Sequence, residues 1–492
     1  PYVPCDGEVT PICHNAMEAT NMTQFNTRTP HTISLLSALI IANLSSAAVA
    51  SDHYVDDDGL ECPHSTYHTS IQDAVDAAVD GDTVYVYPGT YTGGGDEVVS
   101  LTFTDFSMYG VSVNGQRPKI DGENDRRCIS IEGPDDLLTG EINVENFDLE
   151  NGYAVRDGGG IHAIGDVEIT DVNIFHCHAG GSGGALMVAL PSFTQPGYTS
   201  VNFQYSQVDY CTANLNGGGL AADEATLRAY HNEVSRCFAG EKGGGIAFTS
   251  PIHNALLKIT GSASAPFSLS MNEAGEGGGG LWLSGSKSHD LVGLLLFENR
   301  TRGNGGGALF EDTTVQLGRF GIGVEVTRNV ALEHSDLSGG KGAGLCLINS
   351  EVSHDEDSWF HFDSNASEGD GAAIYMKHSS LELSQALFEG NVAVNERGGA
   401  IAAISCPSLL LDEVYLWDNI GLKGGALYLM NTFAQLTSLD VRGNTGTNGA
   451  ALFVRGASSD VSVSDSLFMN NSPRHVRVIS GSCTNAGGNS FN

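Results

Sequence analysis

The sequence predicts an all-β chain wound as a parallel β-solenoid of about twelve coils. A glycine-rich patch that ends in one aliphatic residue recurs eleven times, and an Asn or a Cys lies about nine residues before each of these ends. The first and last aliphatic ends, Ile161 and Leu452, are ten repeats apart, so the average period is about 29 residues. A fixed period of this length is typical of stacked repeats, each of which buries its apolar residues against its neighbours.

An N-terminal helix and then short strands are expected along the chain. Ser70 followed by Asp73 resembles a capping box, and apolar residues recur at helical spacing from Ile71 to Val79 before Gly81 ends the helix. We expect this short helix to cap the open end of the solenoid, where an uncovered sheet edge would invite aggregation. Short segments with strand composition follow at 84–87, 107–111, 128–131, 142–146 and 167–169.

The polar residue of each repeat is expected to form a ladder. Successive turns lie about 4.8 Å apart, so equivalent side chains stack, and stacked Asn side chains satisfy one another's amide groups. The glycines permit positive φ at a tight corner, and the aliphatic residue fills the interior. The ladder is predicted to begin at Asn151 and to continue through Cys177, Cys211, Cys237, Asn272, Asn299, Asn329, Asn365, Asn391, Asn419, Asn444 and Asn471.

The three ladder cysteines allow two interpretations. Adjacent turns bring their Cα atoms within disulfide range, so one pair could bond and leave one thiol free. Stacked and buried free thiols are equally consistent with the pattern. A metal site at this position is disfavoured, because His176 and His178 would lie on the strand face opposite Cys177.

The first 50 residues differ in character from the rest. Residues 1–21 are interpreted as an upstream extension outside the fold. Residues 22–50 contain a single Arg, an apolar run centred on 35–44 and a small-residue cleavage site, which together predict a secretory signal peptide. The apolar run is too short and too interrupted for a membrane span. We expect the cap and first strands in 51–100 and the solenoid in 101–492, ending inside a turn, in a secreted or cell-surface protein.

Several segments resemble known repeat families. SLFMNN and ALFEGN, together with GGAI, GGAL and GGGI, resemble the FxxN and GGA[ILV] repeats of chlamydial polymorphic outer-membrane proteins. The segment IQDAVDAAVDGDTVYVYPGTY resembles the start of proteins of the pectate-lyase-like superfamily. The resemblance covers roughly residues 52–471 and implies a right-handed, single-stranded parallel β-helix. It implies no single activity, because that fold includes lyases, hydrolases, epimerases, phage spikes and adhesins.

Charge and missing motifs limit the function classes. The formal net charge of −36 disfavours nucleic acid, anionic membranes and polyanionic sugars as partners. A lyase would need a basic motif such as RxPxxR, to which Arg117-Pro118-Lys119 is a poor approach. A galacturonase-like hydrolase would need clustered aspartates, and Asp135-Asp136 occurs alone. The sequence therefore favours a non-catalytic adhesin, structural or glycan-binding protein over the alternative of a carbohydrate-active enzyme, with a polysaccharide or a surface protein as partner.

Two candidate binding features remain. Asp56, Asp57 and Asp58 could offer hard carboxylate oxygens to calcium, and the alternative is a solvated acidic turn. Trp359, beside an expected loop insertion, is the best of the three tryptophans for stacking on a sugar ring, whereas Trp282 is expected to pack against the repeat. No catalytic residue is predicted, and calcium is the only cofactor considered.

Overall fold

The chain is an all-β, right-handed parallel solenoid of about 15 turns, which confirms the predicted fold class. The computed structural model describes residues 50–492 apart from 134–139, 191–198, 252–254, 286–287, 334–338, 356 and 395. Residues 22–49 of the predicted signal peptide, and Asp135 and Asp136, lie outside the described residues. Strands of successive turns pair in parallel, so residues at equivalent positions in the repeat become neighbours along the solenoid axis.

Two sheets take up the strands on either side of each glycine patch. The 14-stranded sheet consists of Glu97–Leu101, Arg127–Glu132, Ile161–Ile164, Leu186–Val188, Leu220–Asp223, Ile246–Ser250, Leu281–Gly285, Ala308–Glu311, Leu345–Ile348, Ile374–Lys377, Ile401–Ile404, Leu427–Met430, Leu452–Arg455 and Val476–Val478. The nine-stranded sheet consists of Tyr153–Ala154, His178–Ala179, Thr212–Ala213, Phe238–Ala239, Glu273–Ala274, Arg300–Thr301, Val330–Ala331, Ala366–Ser367 and Val392–Ala393.

The third sheet has 29 strands in two columns separated by a bend. The first column consists of Asp52–Val55, Thr83–Val86, Phe106–Gly110, Ile142–Glu150, Asp166–Phe175, Ser200–Gln204, Thr226–Tyr230, Leu257–Thr260, Ser288–Val292, Thr314–Leu317, Glu351–Ser353, Ser380–Ser384, Ser408–Asp412, Phe433–Thr437, Asp460–Ser464 and Ser482–Gly487. Ile142–Glu150 and Asp166–Phe175 continue into the second column. Its other strands are Thr90–Tyr91, Lys119–Asp121, Gln207–Asp209, Glu233–Ser235, Phe267–Ser270, Leu294–Phe297, Val324–Thr327, Phe360–Asp363, Ala386–Glu389, Tyr415–Trp417, Asp440–Arg442, Leu467–Met469 and Ser490–Phe491.

One helix, α1 (Ile71–Ala77), occurs among the described residues and covers the N-terminal end. The Ser70 hydroxyl accepts an N–H of its first turn at 3.4 Å, and the apolar face of the helix is buried against the first strands. The helix ends before Gly81, because the N–H of Val79 bonds to the Asp82 carboxylate at 2.9 Å and leaves the helical path.

The turn count exceeds the expected twelve because the first turns have no glycine patch that runs directly into an aliphatic residue. The strands Thr83–Val86 and Phe106–Gly110 pair in parallel as later turns do, although Asp96 and Glu97 follow Gly93–Gly95 where later turns have the aliphatic residue. Their interior residues, such as Val84 and Met108, are fully buried. A repeat count based on glycine therefore starts too late, near Ile161.

Asn side chains of successive turns form one buried column. The Nδ2 of Asn391 donates to Asn419 Oδ1 at 2.9 Å and to Phe362 O at 2.9 Å, and its backbone N–H donates to the same Oδ1 at 3.1 Å. Members from Asn272 onward repeat this arrangement, and Asn471 is the last acceptor. Each side chain therefore satisfies backbone groups that the solenoid would otherwise leave buried without a partner.

Thiols take the ladder position in three earlier turns. The N–H of Cys177 donates to Cys211 Sγ at 3.4 Å, and the N–H of Gly152 donates to Cys177 Sγ at 3.3 Å. A thiol thus accepts the same backbone N–H that an Asn oxygen accepts in later turns. These cysteines are free and buried, which corresponds to the second of the two interpretations.

The ladder begins differently from the expectation. Gly152 occupies the ladder position, and Asn151 precedes it with a φ of 54°. A Cβ on Gly152 would lie 3.0 Å from Cys128 Sγ, so the thiol of Cys128 fills the space of the missing side chain. Cys128 therefore extends the column to four buried thiols, with Cys177 as its neighbour.

Replacing one ladder residue tests this hydrogen bonding. We expect Asn391→Ala to lower the free energy of unfolding by about 3 kcal/mol, because the backbone N–H of Asn365 loses its acceptor and the carbonyl of Phe362 loses its donor. Glu389→Ala, at an exposed position on the preceding strand, is the matched control and should cost well under about 1 kcal/mol. Urea unfolding curves measure both, and equal losses would contradict the prediction.

A buried imidazole makes the fold sensitive to acid. The Nδ1 of His289 accepts the N–H of Leu257 at 3.0 Å, the edge of Phe248 packs on the ring, and burial lowers the pKa of His289 to about 4. Below pH 6.5 the unfolded chain binds a proton that the folded chain does not bind until pH 4. The free energy of unfolding should therefore fall by up to about 3 kcal/mol between these values.

Denaturation at several pH values measures this loss. His289→Leu should reduce the slope between pH 6.5 and 4 but not abolish it, because burial also lowers the pKa of His162 to about 4. His378→Asn, which changes an exposed His, should leave the slope as in the parent chain. A slope that His289→Leu does not alter would show that other groups cause the acid sensitivity.

Candidate functional site

The outer face of the 14-stranded sheet carries a second column of side chains. In each strand the residue after the aliphatic end points away from the interior, and the parallel register aligns these residues. The column runs through His162, Met187, Ala221, Ala247, Trp282, Leu309, Cys346, Tyr375, Ala402, Tyr428 and Phe453. We call the channel above this column the outer groove.

Large side chains fill the C-terminal half of the outer groove. Tyr428 and Phe453 stack with their centroids 5.5 Å apart, and both are buried although they lie outside the solenoid. Cations cover this half, since Lys341 Nζ lies 5.4 Å from the Tyr375 ring and the Arg397 guanidinium lies 5.0 Å from the Tyr428 ring.

The N-terminal half of the outer groove is open. Ala221 and Ala247 occupy the floor in two consecutive turns, where most later turns have a larger side chain, and they leave a cleft of about 340 Å³. Met187 and Trp282 line the cleft together with these alanines. The groove is therefore open where two consecutive turns carry alanine, whereas Ala402 in the C-terminal half is flanked by Tyr375 and Tyr428 and is buried.

Trp282 is held in place on the lining of this cleft. Its indole N–H donates to Glu311 Oε2 at 2.8 Å, and Lys242 Nζ donates to the same oxygen at 2.7 Å. The ammonium of Lys242 also lies 4.6 Å from the centre of the indole ring. A rigid aromatic side chain loses little conformational entropy when a ligand packs against it.

The rims of the cleft are polar and fixed by hydrogen bonds between turns. Asp157 Oδ1 accepts the N–H of Ser182 at 2.7 Å, and Asn216 Oδ1 accepts the N–H of Lys242 at 3.1 Å. At the far end of the strand, Thr249 Oγ1 donates to Asp223 Oδ1 at 2.6 Å. The second oxygen of each carboxylate remains as an acceptor for a ligand hydroxyl.

A neutral imidazole lies at the N-terminal end of the groove floor. Burial lowers the pKa of His162 to about 4, and the charge of Arg127 contributes in the same direction. The guanidinium of Arg127 donates to Gly158 O at 2.8 Å and to Asp157 O at 3.0 Å, which holds the loop that carries the Asp157 carboxylate.

The acidic run near the N-terminus is divided between two environments. Ligand oxygens of Asp56, Asp58 and Glu61 lie within 4.8 Å of one another, whereas Asp57 accepts the N–H of Thr90 at 3.2 Å. The predicted trio is therefore not brought together as a set, and Glu61 takes the place of Asp57.

Asp56 already has a full set of donors. Its carboxylate is buried and accepts the N–H groups of Asp58, Gly59, Glu61 and Cys62 at 2.6–3.2 Å. Burial raises the pKa of this carboxyl, but the four backbone donors outweigh burial and lower it below its ordinary value. Asp56 therefore organises the loop that enters the first strands.

Charged residues also converge beside this loop. A cleft of about 540 Å³ is lined by Asp57, Asp58, Glu61, Arg117, Lys119 and Asp148 among others. Both cations are paired within the protein, since Arg117 lies 3.0 Å from Asp171 and Lys119 lies 3.2 Å from Glu150. The cleft therefore offers a ligand no free positive charge from these two residues.

Trp359 lies away from the outer groove, at the end of a loop before the strand Phe360–Asp363. Its side chain is half exposed, and its carbonyl accepts the N–H of Val324 at 3.1 Å. It remains a predicted stacking residue. The sequence interpretation missed the outer groove because it assigned Trp282 to packing, although the change from Ala247 to Trp282 at one repeat position was visible in the sequence.

One family comparison agrees with the fold. The protein-family model described as a right-handed β-helix region matches residues 320–491. The solved structure of the GH136 lacto-N-biosidase from Eubacterium ramulus is similar at 11% identity over 77% of this chain, with a TM-score of 0.31, and the chain spans 65% of that protein's length. The A-module of mannuronan C-5 epimerase AlgE6 from Azotobacter vinelandii is similar at 13% identity over 85% of this chain and 94% of the module, with a TM-score of 0.29. No curated protein matches the chain.

The fold and the outer groove define the chain as a right-handed parallel β-helix with an open surface cleft. Within the described residues, no helix has the length and apolar character needed to cross a membrane.

The role of Asp56 can be separated from calcium binding. We expect Asp56→Asn to lower the free energy of unfolding by about 2 kcal/mol, because an amide NH2 would face backbone N–H donors. The loss should be the same in EDTA and in millimolar calcium. Asp58→Asn, whose carboxylate accepts the N–H of Leu60, is the milder control. A loss that appears only with calcium would instead identify these carboxylates as calcium ligands.

Proposed function

We propose that this protein is an exported β-helix that binds a neutral polysaccharide in the open half of the outer groove. The observation that carries the proposal is the replacement of aromatic floor residues by Ala221 and Ala247 beside a fixed indole. The apolar floor and Trp282 suit the C–H faces of a sugar, and the rim oxygens suit its hydroxyl groups.

The charge of the chain supports a neutral ligand. At a net charge of −36 the protein repels polyanionic sugars, and the rims add Asp157 and Asp223 to the site itself. Export rests on the sequence pattern of residues 22–50, and the adhesive or structural role follows from a site that binds without cleaving. Polysaccharides of cell walls and extracellular matrices lie outside the cell, so the proposed ligand and the proposed location agree.

Binding to a glycan array, followed by titration of the best neutral ligand, tests the site. Trp282→Ala should weaken binding about tenfold or more, because it removes the large rigid contact. Ala247→Tyr should abolish binding by filling the cleft as Tyr375 and Tyr428 fill theirs. Tyr415→Ala, which truncates an aromatic residue that is 44% exposed outside the groove, is the matched control and should bind as the parent does. If only Trp359→Ala lost binding, the binding site would lie at the loop before Phe360–Asp363 and not in the outer groove.

A reducing-end assay on the same polysaccharides distinguishes binding from catalysis. We expect no oligosaccharide release from the parent chain during prolonged incubation. Release that disappears in Asp157→Asn or Asp223→Asn would show that the rim carboxylates are catalytic, and the protein would then be a carbohydrate-active enzyme.

A further inference from the structure

The residue before each ladder position has a left-handed backbone conformation. Its φ lies between 50° and 65° in every turn from Asn151 to Asn470. Small or amide-bearing residues suit this conformation, and later turns use Ser364, Gly390, Asp418, Gly443 and Asn470. Six consecutive earlier turns instead carry larger residues, which are His176, Tyr210, Arg236, Met271, Glu298 and Arg328.

A second corner also carries large residues at positive φ in two of these turns. Tyr205 and His231 lie at the bend between the two columns of the 29-stranded sheet, with φ values of 53° and 51°. Equivalent corners of other turns carry residues that are not aromatic, namely Asn146, Asp171, Gln385, Glu413, Ser438 and Asp465. We call Tyr205, His231, His176, Tyr210 and Arg236 the corner platform.

Burial does not explain these strained residues. Tyr205 is 60% exposed and Tyr210 is 51% exposed, so little apolar area is removed from water in return for the strain. Strained residues that the surrounding structure maintains are typical of functional surfaces. The comparison with the other turns shows that the solenoid itself does not require aromatic residues at these corners.

Stacking between turns fixes the rings of the corner platform. His176 and Tyr210 are parallel with centroids 5.5 Å apart, and Tyr205 and His231 are parallel at the same distance. The guanidinium of Arg236 lies 4.6 Å from the Tyr210 ring centre. The contacts run along the solenoid axis, so the Tyr210 ring has a partner on each face. A partner would therefore contact the ring edges and the polar groups instead of the ring faces.

The geometry points to a neutral polysaccharide chain that lies on the corner platform parallel to the solenoid axis. Polar groups recur there at the turn spacing of about 4.8 Å, which is close to the length of one sugar residue in an extended polysaccharide. The tyrosine hydroxyls can pair with sugar hydroxyls, and Gln207 and Glu233 add polar side chains between the two corners. Arg236 is fixed by Asp209 through Nε and one Nη and offers its other Nη, and His231 offers Nε2, because its Nδ1 lies 3.1 Å from Ala265 O. The net charge of −36 disfavours a polyanion or a second copy of the chain.

The corner platform is distinct from the outer groove. The proposal for the platform rests on the proposed function in one respect, which is the choice of a neutral polysaccharide as the class of ligand. The groove encloses a short segment of a ligand, whereas the platform is open and extends over several turns. A polymer longer than a few sugars should therefore gain affinity from the platform, whereas a disaccharide should not.

Affinity electrophoresis of the full chain in gels containing dextran, galactomannan, xyloglucan or laminarin tests the platform. The double variant Tyr205→Asn with Tyr210→Asn should bind the retarding polymer at least tenfold more weakly. Its unfolding midpoint should not fall, because Asn tolerates positive φ better than Tyr. Tyr415→Asn is the matched control, since Tyr415 is 44% exposed in a regular strand. It should bind as the parent does and lose stability.

Each outcome decides the proposal. Unchanged binding in the double variant, or a midpoint that falls by several degrees, overturns it, and the latter would show that the tyrosines serve packing. If only Trp282→Ala loses binding, the result supports the outer groove as the binding site and overturns the proposal for the corner platform. If only the double variant loses binding, the result supports the platform and overturns the proposal for the groove. A parent chain that none of the four polymers retards, but that binds a protein partner, overturns both.

Discussion

The parallel alignment of successive turns is the constraint on which the rest of this structure depends. Because each turn repeats the previous one at the spacing of adjacent strands, every position becomes a column along the axis. A polar residue inside the solenoid must then satisfy the backbone of its neighbours, as Asn391 does with Asn419 and Phe362. The chain meets this requirement with amides in later turns and with thiols in earlier ones, so the interior leaves little freedom for function.

The outside of the solenoid follows the same alignment without the same requirement. A substitution at an outer position alters one site in a column and leaves the turn intact. Ala247 opens the groove that Tyr375 and Tyr428 close. Tyr210 lies at a corner position that Asp418 and Gly443 occupy in later turns, where these residue types adopt positive φ with less strain. Functional sites in such a chain are therefore visible as local departures from the residue that each column prefers.

The sequence predicted the interior well because the interior is periodic. The aliphatic ends and the Asn positions recur with the fold's own period, so the amino-acid sequence alone locates the core and the ladder. Two features escaped this approach. The first turns have no glycine patch that runs directly into an aliphatic residue, and Cys128 reaches the thiol column from another strand of its turn to fill the space beside Gly152. The outer groove also escaped, because Trp282 depends on Glu311 from the next turn and on Lys242 from an earlier one.

The location of both proposed surfaces has a physical reason. The alanine floor and the corner platform fall in the same turns, between about residues 157 and 285, and the larger corner residues continue into the next two turns with Glu298 and Arg328. A turn in the middle of a solenoid is held by two neighbours, so its backbone conformation is over-determined and tolerates residues that would not adopt it alone. A terminal turn has one neighbour and less capacity for strain. The middle of the solenoid is therefore where an aromatic residue at positive φ, such as Tyr205, can be kept for what it presents to a partner.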